Sequence, residues 1–200
     1  MSLLDTAAIF RYHKALIQQY GRSHVGALGW TDEEGQFIRF EVLAQIADLS
    51  SQSVLDLGCG HGDFCAYLHD RFSQLRYFGV EQIPDILQVA IERYGHLEET
   101  LLFQGDFTVA DLPATDYILA SGALSYRNSD PLFVVKAIEK LFHTCRKGLG
   151  FNLLSEVDPP NGLLVAYDPG FIENYCRLLT SQTKLVRGYR ANDFTIFMYH

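Results

Sequence analysis

A strand-like run, Ser53-Val-Leu-Asp-Leu57, passes directly into Gly58-Cys-Gly-His-Gly62 and then into a helical stretch that starts at Asp63. The spacing Asp56-x-Gly58-x-Gly60-x-Gly62, with Cys59 between the first two glycines, puts three flexible residues into one turn. Glycine reaches backbone angles closed to other residues and lets a ligand approach the main chain. The helix behind the turn aims free N–H groups and the positive end of its dipole at the same place. Such a turn suits a small molecule lying across the end of a strand. Two phosphate-binding patterns fit it badly. In G-x-G-x-x-G aligned on Gly58 and Gly60, the third glycine falls on Asp63, whose carboxylate would repel a pyrophosphate. No Gly-Lys-Ser or Gly-Lys-Thr follows, as a P-loop requires. The expected ligand carries no phosphates.

The elements that must hold this turn are legible downstream. Leu75–Glu81 reads as a second strand and Pro84–Tyr94 as a helix, with Pro84 in its first turn. Leu101–Asp106 and Thr115–Ser121 read as third and fourth strands. A helix is expected from Asp130 to about Arg146, a fifth strand over Gly148–Leu154 and a further helix over Gly170–Thr180. Strands alternating with helices predict a parallel sheet covered on both faces. The end departs from that rhythm. Lys184–Tyr189 and Phe194–Tyr199 are joined only by Arg190–Asp193, too short for a crossover, so these two strands are antiparallel. Upstream, helices are expected over Thr6–Tyr20 and Asp32–Ala47, separated by the glycine-punctuated stretch Gly21–Gly29. Residues 1–50, whose helices precede the sheet, are expected to lie across its active edge as a helical cap, and residues 51–200 to form the ligand-binding unit.

From Ser53 to His200 the chain resembles the class I S-adenosylmethionine (SAM)-dependent methyltransferases, with Asp56–Gly62 similar to their first motif. The resemblance implies an α/β, three-layer Rossmann-like sheet of seven strands with the last antiparallel, and SAM as cofactor with S-adenosylhomocysteine (SAH) as product. It implies that Glu81, ending the second strand, binds the ribose hydroxyls; a carboxylate can accept from two adjacent hydroxyls. It implies further that Gln82 and Ile83 border the adenine, that Asp106 receives the adenine amino group beside Phe107, and that Ser121-Gly-Ala-Leu-Ser-Tyr126 lies near the methionine part.

The methyl acceptor leaves fainter marks, because transfer from a sulfonium needs mainly proximity and alignment. Tyr12, Tyr20, Trp30 and Arg39 are candidates to line an acceptor pocket, Arg39 by pairing with the cofactor carboxylate or an acidic acceptor. His24 and Tyr126 are candidates for catalytic contact with the acceptor, His24 as a base because histidine titrates near neutrality. After the fourth strand there is no Asn/Asp-Pro-Pro-Tyr/Phe of nucleic-acid amino-methylating enzymes; Asp158-Pro-Pro160 follows the fifth strand and reads as a loop. Asp116, Asp130 and Asp158 do not compose the acidic set of metal-dependent catechol-type enzymes, so no metal is expected. The paired glutamates of protein arginine methyltransferases are missing too.

Net charge is −8 over 200 residues, which disfavours a phosphate backbone or an anionic membrane as partner. Cys59, Cys65, Cys145 and Cys176 show no C-x-x-C pair and read as reduced thiols. No apolar run approaches a membrane span, and the start Met-Ser-Leu-Leu-Asp-Thr lacks a signal-peptide pattern, so the cytoplasm is expected. Three functions fit: methyl transfer to a small molecule, SAM or SAH binding without turnover, and methylation of RNA or protein with a partner subunit.

Overall fold

The computed structural model describes residues 2–30, 32–160 and 162–200. Helix α1 (Leu3–Tyr20) opens on a capping box, in which Ser2 and Asp5 satisfy each other's backbone N–H groups. A 3₁₀ turn (Val25–Leu28) and α2 (Glu33–Leu43) follow, with Asp32 capping α2. The expected helix to Ala47 stops at Leu43 and tightens into a 3₁₀ turn, Ala44–Ile46. Then come β1 (Ser53–Leu57), α3 (Asp63–His69), β2 (Arg76–Glu81), α4 (Pro84–Tyr94), β3 (Thr100–Gln104) and β4 (Tyr117–Ala120). The chain closes with α5 (Phe133–Thr144), β5 (Gly148–Leu154), α6 (Pro169–Leu179), β6 (Thr183–Arg187) and β7 (Asp193–Tyr199). Helix α5 begins three residues later than Asp130, because the Asp130 carboxylate accepts the Leu132 N–H at 2.9 Å and holds the entry as a turn.

The seven strands lie in the order β3-β2-β1-β4-β5-β7-β6. All pairs are parallel except those of β7, which runs antiparallel to both β5 and β6. The order reverses between β1 and β4, so the loops at their carboxyl ends part and leave a crevice. Side chains alternate along each strand. Leu55 and Leu57 of β1 pack with Ile138 and Leu141 of α5 and Ile172 of α6, whereas Val54 packs with Phe40 and Leu43 of α2 and Phe64 and Leu68 of α3. The N-terminal α2 thus belongs to the same apolar layer as the sheet's helices. Helix α1 lies over the crevice, its Ile9 against Ile83 and Ile86.

Two buried polar pairs sit inside this frame. The Arg39 Nη2 of α2 lies 2.7 Å from the Asp193 carboxylate at the start of β7, and its Nη1 donates to the Gly35 carbonyl at 3.0 Å. Tyr77 of β2 donates from its hydroxyl to Asp56 of β1 at 2.5 Å. Burial pushes the Asp56 carboxyl up to about 7, the Tyr77 hydrogen bond works against that shift, and the nearby Glu81 charge adds to it.

Both pairs make predictions. Arg39→Met strands a buried carboxylate, which costs about 3–5 kcal/mol. For a chain of this size the unfolding midpoint falls by roughly 6–20 °C, and adding Asp193→Asn recovers most of it. Asp56 has its folded pKa above its unfolded value of 3.8. Between those two values the folded state holds a proton that the unfolded state has lost. Stability therefore falls as pH rises from about 4 to about 7, by at most about 1.4 kcal/mol per pH unit. Asp56→Asn keeps an acceptor for Tyr77 and removes the Asp56 part of that slope, leaving the smaller part due to buried Glu81. Denaturant titrations of both proteins across the window check it, and equal slopes would remove Asp56 as the cause.

Candidate functional site

The crevice at the carboxyl ends of β1 and β4 holds a narrow cleft, and a larger chamber adjoins it. The glycine turn after β1 builds the cleft's floor. Gly58 and Gly60 have φ of 66° and 58°, the left-handed region that glycine reaches without strain. The turn is held from β2: the Gly58 and Cys59 N–H groups donate to the Val80 carbonyl at 2.8 and 3.1 Å. A side chain at Gly60 would press on Leu28 at 3.2 Å.

Glu81 is the centre of the cleft. Its Oε2 accepts from the Gly60 N–H at 3.2 Å and its Oε1 from the Ile83 N–H at 2.9 Å. Burial raises its pKa, and these backbone bonds pull the other way. Asp56, Gly58, Cys59, Gly60, Glu81, Gln82, Ile83, Phe107 and Ser121 all line the cleft. Gln82 Oε1 and Ser121 Oγ are buried there with no hydrogen-bond partner among the described residues. No Lys or Arg stands among the lining residues, and two carboxylates do. Burial raises the Cys59 thiol well above the ordinary cysteine range, so it lines the cleft without being a nucleophile.

Two residues expected at the cofactor stand elsewhere. Gly62 precedes α3 as its N-cap and faces the Tyr94 ring, where an added Cβ would come within 2.7 Å. Asp106 folds its Oδ1 back onto the Thr108 N–H at 2.9 Å and the Thr108 hydroxyl at 2.6 Å, a local turn outside the cleft lining.

The chamber, about 410 Å³, is walled by Tyr12, Trp30, Arg39, Tyr126, Asn152 and the loop residues 156–159 and 162–164 after β5, among others. Backbone bonds from Arg127 to Leu163 and from Val165 to Ser125 brace that loop against the Tyr126 segment. Tyr12, Trp30, Arg39 and Tyr126 therefore come together as the sequence suggested. Arg39 is committed to Asp193, with its guanidinium 4.5 Å from the Trp30 ring centre, and it does not border the cleft. It is thus not placed to pair with a cofactor carboxylate. Tyr20 and His24 correct the sequence reading: they are exposed and stacked on each other at 5.5 Å, and His24 Nδ1 accepts from the Gly26 N–H at 3.0 Å. His24 is a turn cap outside both cavities.

The histidine at the site is His13, which sequence reasoning passed over. It is buried, its Nδ1 lies 2.9 Å from the Ala27 carbonyl and its Nε2 lies 2.9 Å from the Tyr126 hydroxyl. A carbonyl only accepts, so Nδ1 carries the hydrogen and Nε2 accepts from Tyr126. Burial lowers the His13 pKa, and the Ala27 carbonyl opposes that shift. The signal was the spacing Ile9-His13-Ile17, which puts a histidine in the inward stripe of α1. Asp116 and Asp130, the carboxylates weighed for a metal, are engaged by Ser53 and by Lys136 respectively. No group of three or more His, Cys, Asp or Glu side chains converges among the described residues. No helix there is long and apolar enough to cross a membrane.

The chain is similar to several known proteins in sequence and fold. Residues 55–145 match the family model described as a methyltransferase domain. A Mycobacterium tuberculosis protein provisionally described as a methyltransferase, Rv1506c, is 27% identical over 158 residues, covering 73% of this chain and 92% of that protein. The fold is similar to that of magnesium protoporphyrin IX methyltransferase from Synechocystis solved with SAM bound, with a TM-score of 0.71, 13% identity and coverage of 99% and 98% of the two chains. It is similar also to a SAM-dependent methyltransferase from Aquifex aeolicus, with a TM-score of 0.64, 15% identity and coverage of 89% and 97%. Residues 55–145 are thus similar to a methyltransferase domain, and the seven-stranded sheet with its antiparallel β7 has the fold of the SAM-dependent methyltransferases it resembles.

Proposed function

We propose that the chain transfers a methyl group from SAM to a small-molecule acceptor held in the chamber. The observation that carries this reading is a shared wall: Leu28, Trp30, Gly122 and Tyr126 line both cleft and chamber, so the two cavities meet. The Synechocystis relative in fold is named for a small-molecule acceptor, and the net charge of −8 speaks against nucleic acid.

The cleft's chemistry fits the cofactor. A carboxylate has about four acceptor sites, and the Gly60 and Ile83 N–H groups use two at Glu81, which leaves room for two ribose hydroxyls. Gln82 Oε1 offers an unpaired acceptor to an amino group, and Ser121 Oγ an unpaired hydroxyl to the methionine part. Asp56 and Glu81, without an opposing Lys or Arg in the lining, favour a cation over a phosphate. When bound, SAM supplies a methyl group on a positively charged sulfur, so the acceptor needs only a free electron pair. Tyr126 and His13 manage the acceptor's proton. Because the Tyr126 hydrogen points at His13, the Tyr126 oxygen is open to accept one from the chamber. As it does, its own hydrogen passes to His13 Nε2, and the Ala27 carbonyl stabilises the resulting imidazolium.

Thermal unfolding with each ligand in turn tests the cofactor. SAM or SAH at about 100 times its dissociation constant stabilises by about 2.7 kcal/mol, a midpoint rise of roughly 5–10 °C, whereas NAD gives none. Glu81→Gln loses charge-assisted bonds to the ribose and weakens SAH by about tenfold or more. A rise with NAD alone would sink the proposal.

A further inference from the structure

Asn152 sits on β5, beside the loop that follows β4, and is 2% exposed. Its Oδ1 accepts from the Gly122 N–H at 2.7 Å. That bond fixes which way the amide faces. It leaves Nδ2 buried with no hydrogen-bond partner among the described residues, on a side chain that lines the chamber. Buried donors are almost always satisfied, and an orphan in a cavity wall marks the place of a ligand's acceptor atom. Gly122, held by this amide, lines both cleft and chamber, as does Tyr126. An unpaired donor and the Tyr126 phenol therefore line the same chamber, Tyr126 at its boundary with the cleft.

We propose that Asn152 Nδ2 donates to the atom that is methylated, and that this atom is a hydroxyl oxygen of the acceptor. The inference rests on the methyltransferase reading above and names its substrate class. A hydroxyl oxygen has two electron pairs, so one accepts from Asn152 while the other takes the methyl group. Its hydrogen faces Tyr126. A neutral amine has a single pair, which cannot do both. An ammonium has none and opposes the amide hydrogens, and a thiol sulfur accepts only weakly. The proton count closes. The hydroxyl proton goes to the Tyr126 oxygen while the Tyr126 hydrogen goes to His13. The new oxygen–methyl bond replaces the sulfur–methyl bond, whose electron pair stays on sulfur. The rings of Tyr12, Trp30 and Tyr126 in the wall suit a flat acceptor, which makes a phenol or enol the class expected.

The test is calorimetry on protein loaded with SAH, using β-naphthol and β-naphthylamine, two probes that differ only at the atom in question. The wild-type protein should bind the naphthol about tenfold tighter or more, since an arylamine nitrogen, its single pair drawn into the ring, accepts the Asn152 hydrogen bond far more weakly than the naphthol oxygen. Asn152→Asp keeps an oxygen for the Gly122 N–H and removes the donor. In mildly alkaline buffer it should bring the ratio to about one or below, with SAH affinity held within about threefold. Equal binding of the pair by wild type overturns the assignment, as does a preference that survives in the variant or a naphthol that does not bind. If the variant does not fold, the wild-type ratio decides alone. Failure to bind SAH would fell the methyltransferase reading and this proposal with it. SAH binding without preference leaves that reading standing and removes the oxygen assignment only.

Discussion

The site depends on one buried carboxylate. Glu81 ends β2, and its two oxygens hold the N–H groups of Gly60 and Ile83. Through those bonds it ties the glycine turn after β1 to the start of α4 before any ligand arrives. The parallel register of β1 and β2 makes the reach possible, because Leu57 stands beside Val80 and the two loops leave the sheet side by side. Without the carboxylate the Gly60 N–H would lose its partner inside a buried loop, where an orphan donor is costly. The turn is thereby organised in advance, and binding does not have to supply the ordering entropy.

The second half of the site comes from the other end of the chain's connectivity. Helix α1 crosses the crevice and lowers His13 onto Tyr126, and the segment after it brings Leu28 over the glycine turn at Gly60 and Trp30 over Gly122. Helix α2 is fastened to β7 by Arg39 and Asp193, which places the Trp30 ring against both the guanidinium and Gly122. Helix α1 and the segment after it wall the two cavities from one side, and the carboxyl edge of the sheet walls them from the other. Tyr126 lines both cavities, so the wall between them depends on how firmly α1 is seated.

What could be read from the sequence follows physical range. The glycine turn, Glu81 at a strand end and the closing hairpin are local patterns, and each stands where its spacing put it. Tyr12, Trp30 and Tyr126 line the chamber because large rings between helices and loops have few other places to go. Tyr20 and His24 failed for the opposite reason: two residues in a glycine-rich stretch can satisfy each other in solvent, and nothing in their spacing says so. Asp106 had two local uses, turn or ligand, and its Oδ1 is engaged in a turn by the neighbouring Thr108. Arg39 is paired across 154 positions and Asn152 across 30, so their roles arise only when the sheet assembles. His13 lay within reach, since a polar residue in the stripe Ile9-His13-Ile17 must find partners at depth.

The cleft carries its specificity as an electrostatic cost. Burial alone would drive Asp56 and Glu81 to their neutral forms, and both are pushed in that direction. A paired lysine or arginine would relieve them, as Asp193 relieves Arg39 a short way off, but the cleft lining contains none. Relief inside the fold would make the empty protein more stable and would cancel the field that attracts a positively charged ligand. Leaving the carboxylates uncompensated keeps that attraction for the ligand itself, which then supplies the missing positive charge in a place water does not screen. The same desolvation that weakens the sheet's centre is what lets a narrow, phosphate-averse turn select a cation. The two carboxylates that burial pushes up, Asp56 and Glu81, therefore stand together at the carboxyl edge of β1 and β2, where the ligand is to bind.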